Sequence, residues 1–219
     1  MEHDPQAIAE FHALGVRAVP VTVIGDTVVV GFNRGALVRA LGVGEEGRKE
    51  DISANNLLAR YEPVMGGFLR ANRQIPDAQL DWKSPERDRT LRGFVYHVYD
   101  RPDLVLRGTA TGVYRYEDIR RAFITAEGLR TTDALVTHGE AVLERLRGYL
   151  GRAGETELGL LIDSYQGMLS VRELLNLALG HTAHHLKQIY HYFGSLGITP
   201  ESPLTTEDLA GIDLPSELF

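Results

Sequence analysis

The 219-residue sequence predicts a mainly α protein, a four-helix bundle preceded by a small N-terminal α+β segment of helix–hairpin–helix order. Three observations carry this expectation. Beyond residue 50, apolar residues recur at steps of three and four through long stretches, the spacing that holds side chains on one helix face. Before residue 45, two β-branched runs flank Gly25-Asp26, the pattern of a tight hairpin. Between them GVGEEGRKE (42–50) interrupts all periodicity with glycine and charge, a linker signal. The expected division is 1–45, 46–200 and an acidic, proline-containing tail at 201–219.

Each element has a local reason. Residues 5–14 read as a short helix, with Asp4 as N-cap and Pro5 at the first helical position. The strands are Val21–Ile24 and Val28–Val30, and Asn33 can cap a second helix that stops at Gly42. Asp51 or Ser53 can start the first bundle helix. Ser84-Pro85-Glu86 reads as the start of the second, which carries LRGFVYHVYD, with a loop expected over RPDLVLRGTATGVYRYE. A third helix is expected over roughly 117–150, stopping at Gly151. Ser170 opens the fourth, with Glu173 three residues later completing a capping box. The tail from Thr199 holds three prolines and five acidic residues and no Lys or Arg, so it should run extended along the surface.

Composition excludes several classes of function. A net charge of −7 argues against general affinity for nucleic-acid phosphates or anionic membranes. No stretch approaches the roughly 20 apolar residues of a membrane span, and no signal peptide opens the chain, so a cytoplasmic protein is expected. Cysteine is absent, which removes disulfides, thiolate ligands and cysteine nucleophiles together. A metal would have to be held by His, Asp, Glu or Tyr.

Four of the eight histidines fall within GHTAHHLKQIYHYF, residues 180–193. Leu174, Ala178, His181, His185, Ile189, Tyr192 and Leu196 follow helical steps along one stripe, so His181 and His185 should face the bundle interior. His184 and His191 lie on a flank with Gln188, which reads as a surface or packing residue. An i, i+4 pair brings two imidazoles one turn apart, close enough to share one ion. Spacing alone also allows two satisfied or half-exposed histidines. His97, at the edge of the second helix's apolar face beside Gly93, is the candidate third ligand. His138, next to Thr137 and Glu140, reads as facing solvent.

One His on the second helix, followed by H-x-x-x-H in SVRELLNLALGHTAHHLKQIYHYFGSLGI, resembles the DinB/YfiT-like family of four-helix bundles over roughly residues 50–198. The resemblance implies that His97, His181 and His185 hold a divalent metal, nickel or zinc, between the helices. It also implies activity with a low-molecular-weight thiol, of transferase or isomerase type. The alternative is a non-catalytic metal-binding or stress-response bundle.

Residues 15–41, GVRAVPVTVIGDTVVVGFNRGALVRAL, resemble the C-terminal half of a glutaredoxin. That likeness implies a cis Pro20, with Val19, Pro20 and Asn33 as substrate-binding candidates beside a thiol ligand. The family's first strand and helix, with their cysteine motif, have no counterpart, so dithiol exchange is excluded. Half a sheet is marginal alone, so the segment is expected to dock on the bundle or pair in a homodimer. Expected partners are a small thiol or electrophile, with neither nucleic acid nor membrane.

Overall fold

A computed structural model describes residues 5–16, 20–31, 34–42, 52–86, 88–215 and 217–218. The chain divides into two units, Met1–Asp51 with Tyr165–Gly167, and Ile52–Ser164 with Met168–Phe219.

The small unit has helix–hairpin–helix order. Helix α1 (Pro5–Ala13) is followed by strands β1 (Val21–Ile24) and β2 (Thr27–Val30), then helix α2 (Arg34–Leu41). The strands pair antiparallel from Val21↔Val30 to Ile24↔Thr27. Gly25 turns the hairpin at φ +57°, a left-handed conformation that costs glycine little. Of the eight strand residues only Val29 is buried, while Val23 and Val28 remain 51% and 38% exposed. Pro20 is exposed and precedes β1, its carbonyl accepting a bond from Gly31 N–H at 2.7 Å. Val19 and Asn33 lie outside the described residues, as do Asp4 and the linker at 43–50.

The large unit opens with α3 (Ala54–Arg73), capped by Ser53, whose side chain accepts from Asn56 N–H. Next comes α4 (Leu91–Thr111), and here the structure departs from the sequence reading. Ser84-Pro85 does not start a helix. Instead Lys83 and Thr90 form an isolated antiparallel bridge, Ser84 N–H bonds Arg89 O, and Thr90 caps the helix through Gly93 N–H. The stretch expected as a loop continues α4 past Pro102. A proline inside a helix costs about 3 kcal/mol, and here it sits in a buried face alongside Leu104 and Val105 that offsets this.

The helix expected over 117–150 is two helices. After β3 (Val113–Tyr114) come α5 (Tyr116–Ala126) and α6 (Thr132–Leu150). They break where Thr131 offers a second cap, accepting from Ala134 N–H. A short α7 (Glu155–Gly159) and strands β4 (Leu161–Ser164) and β5 (Gly167–Ser170) lead into α8 (Val171–Leu196). The sheet order is β3-β4-β5, with β3 parallel to β4. The capping box at the start of α8 is present as expected, Ser170 and Glu173 satisfying each other's backbone N–H.

Both α3 and α4 pack against α6 and α8, which closes a four-helix core, and α5 lies against α4. Tyr61, Met65, Phe68, Tyr99, Leu146 and Phe193 fill this core, all fully buried. Two hydrogen bonds tie polar groups into it: Tyr61 O–H donates to Leu175 O at 2.6 Å, and Asn72 Nδ2 donates to Tyr99 Oη at 3.3 Å. Gly139 allows α6 to meet Tyr99, whose ring would lie 2.5 Å from a Cβ at that position.

The C-terminal segment runs along the bundle. Leu209 is buried, Arg60 donates to Gly211 O at 2.9 Å, and Gly180 lets Asp213 O come so close that a Cβ would sit 2.7 Å from it. Among the described residues no helix is long and apolar enough to cross a membrane.

Candidate metal centre

Two helices bring three histidines together. His181 and His185 leave adjacent turns of α8, and their Nε2 atoms stand 3.0 Å apart. His97 projects from α4, 84 positions earlier in the chain, with its Nε2 3.0 Å from that of His181. One ligand atom from each lies within 4.8 Å of the others. His97 and His185 are buried at 4% and 8% exposure, and His181 is partly exposed.

Aromatic side chains wall the cluster. Phe123 of α5 stacks on His97 at 5.2 Å and 20°, and Phe94 meets His185 edge-on at 5.0 Å. Gly93 lies beside the first contact, where a Cβ would meet the Phe123 ring at 3.4 Å. The space left beside His97 is thus filled by an aromatic.

All three imidazoles are held well below the usual histidine range. Burial is the main cause for each. Arg101 and the neighbouring histidines add to it for His97, and His185 and Arg101 for His181. For His185 the bond to Gln188 opposes burial, while Arg89 adds to it. They are therefore neutral at pH 7, the form that binds metals.

The proton inventory tests whether a cation fits. A neutral imidazole has one N–H and one lone pair. His185 Nδ1 faces Gln188 Oε1 at 2.5 Å. An amide oxygen only accepts, so Nδ1 carries the hydrogen and His185 Nε2 is a bare lone pair. His181 Nε2 lies between the Nε2 atoms of His97 and His185, and a single N–H there cannot point at both. The Nδ1 atoms of His97 and His181 are buried without a hydrogen-bond partner among the described residues. Hydrogen bonds alone leave this cluster poorly satisfied. Two imidazoles sharing one tetrahedral ion, each about 2.0–2.1 Å from it, stand about 3.3 Å apart, close to the spacing found. The donor set fits a divalent ion.

The other expected residues divide. His184 is half-buried, its Nε2 accepting from the Gln188 amide at 3.1 Å, and His191 is exposed. His138 does not face solvent: it stacks on Tyr96 at 4.6 Å and 12°. Of the glutaredoxin-derived candidates only Pro20 is described, and it belongs to the small unit.

Gln188 is the residue the sequence reading misjudged. It is 5% exposed and bonded to His185. Its position three residues after His185, one turn along the same helix, was the available signal. An opening of about 10 Å³, room for one water, is lined by Ser84, Arg89, Phe94, His185, Gln188 and Tyr192. One turn beyond His97, Asp100 is 2% exposed. Burial pushes its carboxyl up to about 6, against the opposing effect of Arg107 at 2.7 Å.

Fold and site together define a helical bundle with a three-histidine centre able to hold a divalent ion. Residues 66–189, more than half the chain, match the DinB superfamily, and the chain belongs to it. The match contains His97, His181, His185 and Gln188 and does not reach residues 1–65. No curated protein matches the sequence.

Proposed function

We propose that the protein is a divalent-metal enzyme whose ion is held by His97, His181 and His185, and that it acts with a low-molecular-weight thiol in a transfer or isomerisation reaction. The observation that carries the reading is the convergence of three neutral imidazole Nε2 atoms that hydrogen bonding alone leaves poorly satisfied. His97, His181 and His185 would hold the ion and leave positions open, where it would lower the pKa of a bound thiol or water toward neutral pH.

The chain's own residues supply the rest. Gln188 orients His185. Phe94 and Phe123 exclude water from two sides, which strengthens electrostatic interactions within. Arg89 and Arg101 give the pocket a positive potential, felt by all three imidazoles, and that favours an anionic reactant such as a thiolate. The one-water opening beside Ser84, Arg89 and Tyr192 is lined by His185 itself. The thiol reading draws on the family resemblance; nickel or zinc is the ion proposed.

Elemental analysis of untagged protein tests the metal. Near-stoichiometric metal is expected in the parent and background levels in His181→Ala/His185→Ala; background in both defeats the reading. Metal-loaded protein would then be screened with small thiols and electrophilic substrates. Turnover abolished by His97→Ala supports the enzyme, and no turnover with any thiol favours a non-catalytic metal-binding bundle.

A further inference from the structure

We infer that the C-terminal segment is a working part of the three-histidine centre: the Leu218 carbonyl fixes the Gln188 amide, and Gln188 in turn fixes the tautomer of His185 that leaves Nε2 free to bind.

A glutamine side chain has two faces, and only its surroundings decide which way the oxygen points. Gln188 Nε2 lies 2.5 Å from Leu218 O and 3.1 Å from His184 Nε2. A backbone carbonyl can only accept, so the NH2 group must face Leu218. Oε1 then faces His185 Nδ1. Because Oε1 can only accept, the ring hydrogen is held on Nδ1 and the lone pair stays on Nε2, directed at His181 Nε2. Reversing the amide would set Oε1 against Leu218 O and point N–H groups at Nδ1. The ring hydrogen would then move to Nε2 and block the donor atom.

The segment is seated firmly enough for this. Leu209 is buried, Gly211 O accepts from Arg60, and Gly180 admits Asp213 O at close range on α8 itself. Five residues on from Asp213, Leu218 reaches Gln188. Metal-ligating histidines are held through their second nitrogen in this way, and losing the outer partner typically costs about 10- to 100-fold in metal affinity. Here the outer partner is itself oriented by a part of the chain that contributes no ligand. Gln188 is a positioning residue, and Leu218 positions it.

The importance of a bare Nε2 rests on the metal reading above; the tautomer does not. The test therefore starts with metal-free full-length protein labelled with 15N-histidine, in which two-bond 1H–15N correlations report the tautomer of each ring. His185 should be a single Nδ1–H species. In a variant ending at Pro215 it should become a mixture of tautomers. Gln188→Glu in that shortened background should restore Nδ1–H, because either carboxylate oxygen accepts.

Zinc affinity, measured by competition with a chromophoric chelator, should fall about 10- to 100-fold on shortening and recover with Gln188→Glu. If the shortened chain does not fold, full-length Gln188→Leu serves instead and should lose the single tautomer. An Nε2–H ring in the full chain overturns the inference, as does a tautomer unmoved by shortening or, in its place, by Gln188→Leu. Weaker zinc binding without a tautomer change overturns the positioning role. A full chain that binds no zinc defeats the metal reading alone, since the tautomer comparison still decides this one.

Discussion

In α8, 14 of 26 residues are buried, whereas the N-terminal hairpin buries one strand residue of eight. Both regions are rich in aliphatic side chains, so composition does not separate them. Depth does. Along α8, the long helices α3 and α4 remove a continuous stripe from water, and that dry interior can hold three imidazoles neutral and facing one another. A two-stranded ribbon with both faces near solvent has no such interior. The depressed pKa values of His97, His181 and His185 and the contacts among their rings are products of the bundle, and the family match falls in the same place.

Acid and single substitutions probe that contrast. The largest effect is expected from acid. The folded bundle holds His97, His181 and His185 well below their ordinary 6.5, so below that pH the unfolded chain binds protons that the folded one refuses. Stability should fall as pH drops from about 7 to 5, each withheld proton costing about 1.4 kcal/mol per pH unit. Bound metal should be released over the same range. Urea unfolding at several pH values reads this, and a flat profile would deny that the three rings are desolvated.

Asp100 should give the next effect, with the opposite slope. Its carboxyl titrates near 6 in the fold against 3.8 as the ordinary value, so its protonated form favours folding. That stability is fully present below about 4 and lost as pH rises through 6, a change of at most about 3 kcal/mol. Asp100→Asn should remove this component, and unfolding curves for parent and variant should then differ in pH slope between 4 and 6. Parallel curves would show that Arg107 keeps the group ionised.

A smaller effect should come from the start of α8. Ser170→Ala removes the side chain that accepts from Glu173 N–H and one half of the capping box. A loss of about 1 kcal/mol is expected, measurable as a shift in urea midpoint at constant m-value. The smallest belongs to the hairpin. Val23→Thr, at a site 51% exposed, should change stability by less than about 0.5 kcal/mol and leave metal content untouched. A larger loss would show that Val23 is covered, as pairing with a second copy would require; sedimentation at two concentrations would identify such pairing.

Much of this architecture was legible in the residues. The stripe through His181 and His185 follows from helical spacing, Ser170 and Glu173 announce the start of α8, and Gly25-Asp26 marks the hairpin. Three features were hidden for identifiable reasons. Ser84-Pro85 has the chemistry of a helix start, yet Thr90 offers an equally good cap and the bridge to Lys83 selects it. The stretch from Arg101 to Glu117 is expected as a loop yet continues α4 through Pro102, because the proline's penalty is local while the burial that offsets it comes from other helices. Gln188 looked like surface, because its partners are His185 nearby and Leu218, 30 residues away, and no periodicity encodes that contact. The convergence of His97 with the α8 pair is anticipated from its place at the edge of the second helix's apolar face and from the family resemblance; the distances come only with the fold.

His97 and His181 stand 84 positions apart in sequence, yet their Nε2 atoms are 3.0 Å apart. An ion shared between them would act as a removable crosslink, pinning a long loop of chain shut. Because the ion would leave when the chain opens, it would stabilise the folded form by mass action, by an amount that grows with the logarithm of its free concentration over its Kd. Loaded and empty protein would then share one shape and differ in lifetime. Opening α4 away from α8 would require the ion to leave first, so a chelator would act on this bundle as a reducing agent acts on a disulfide.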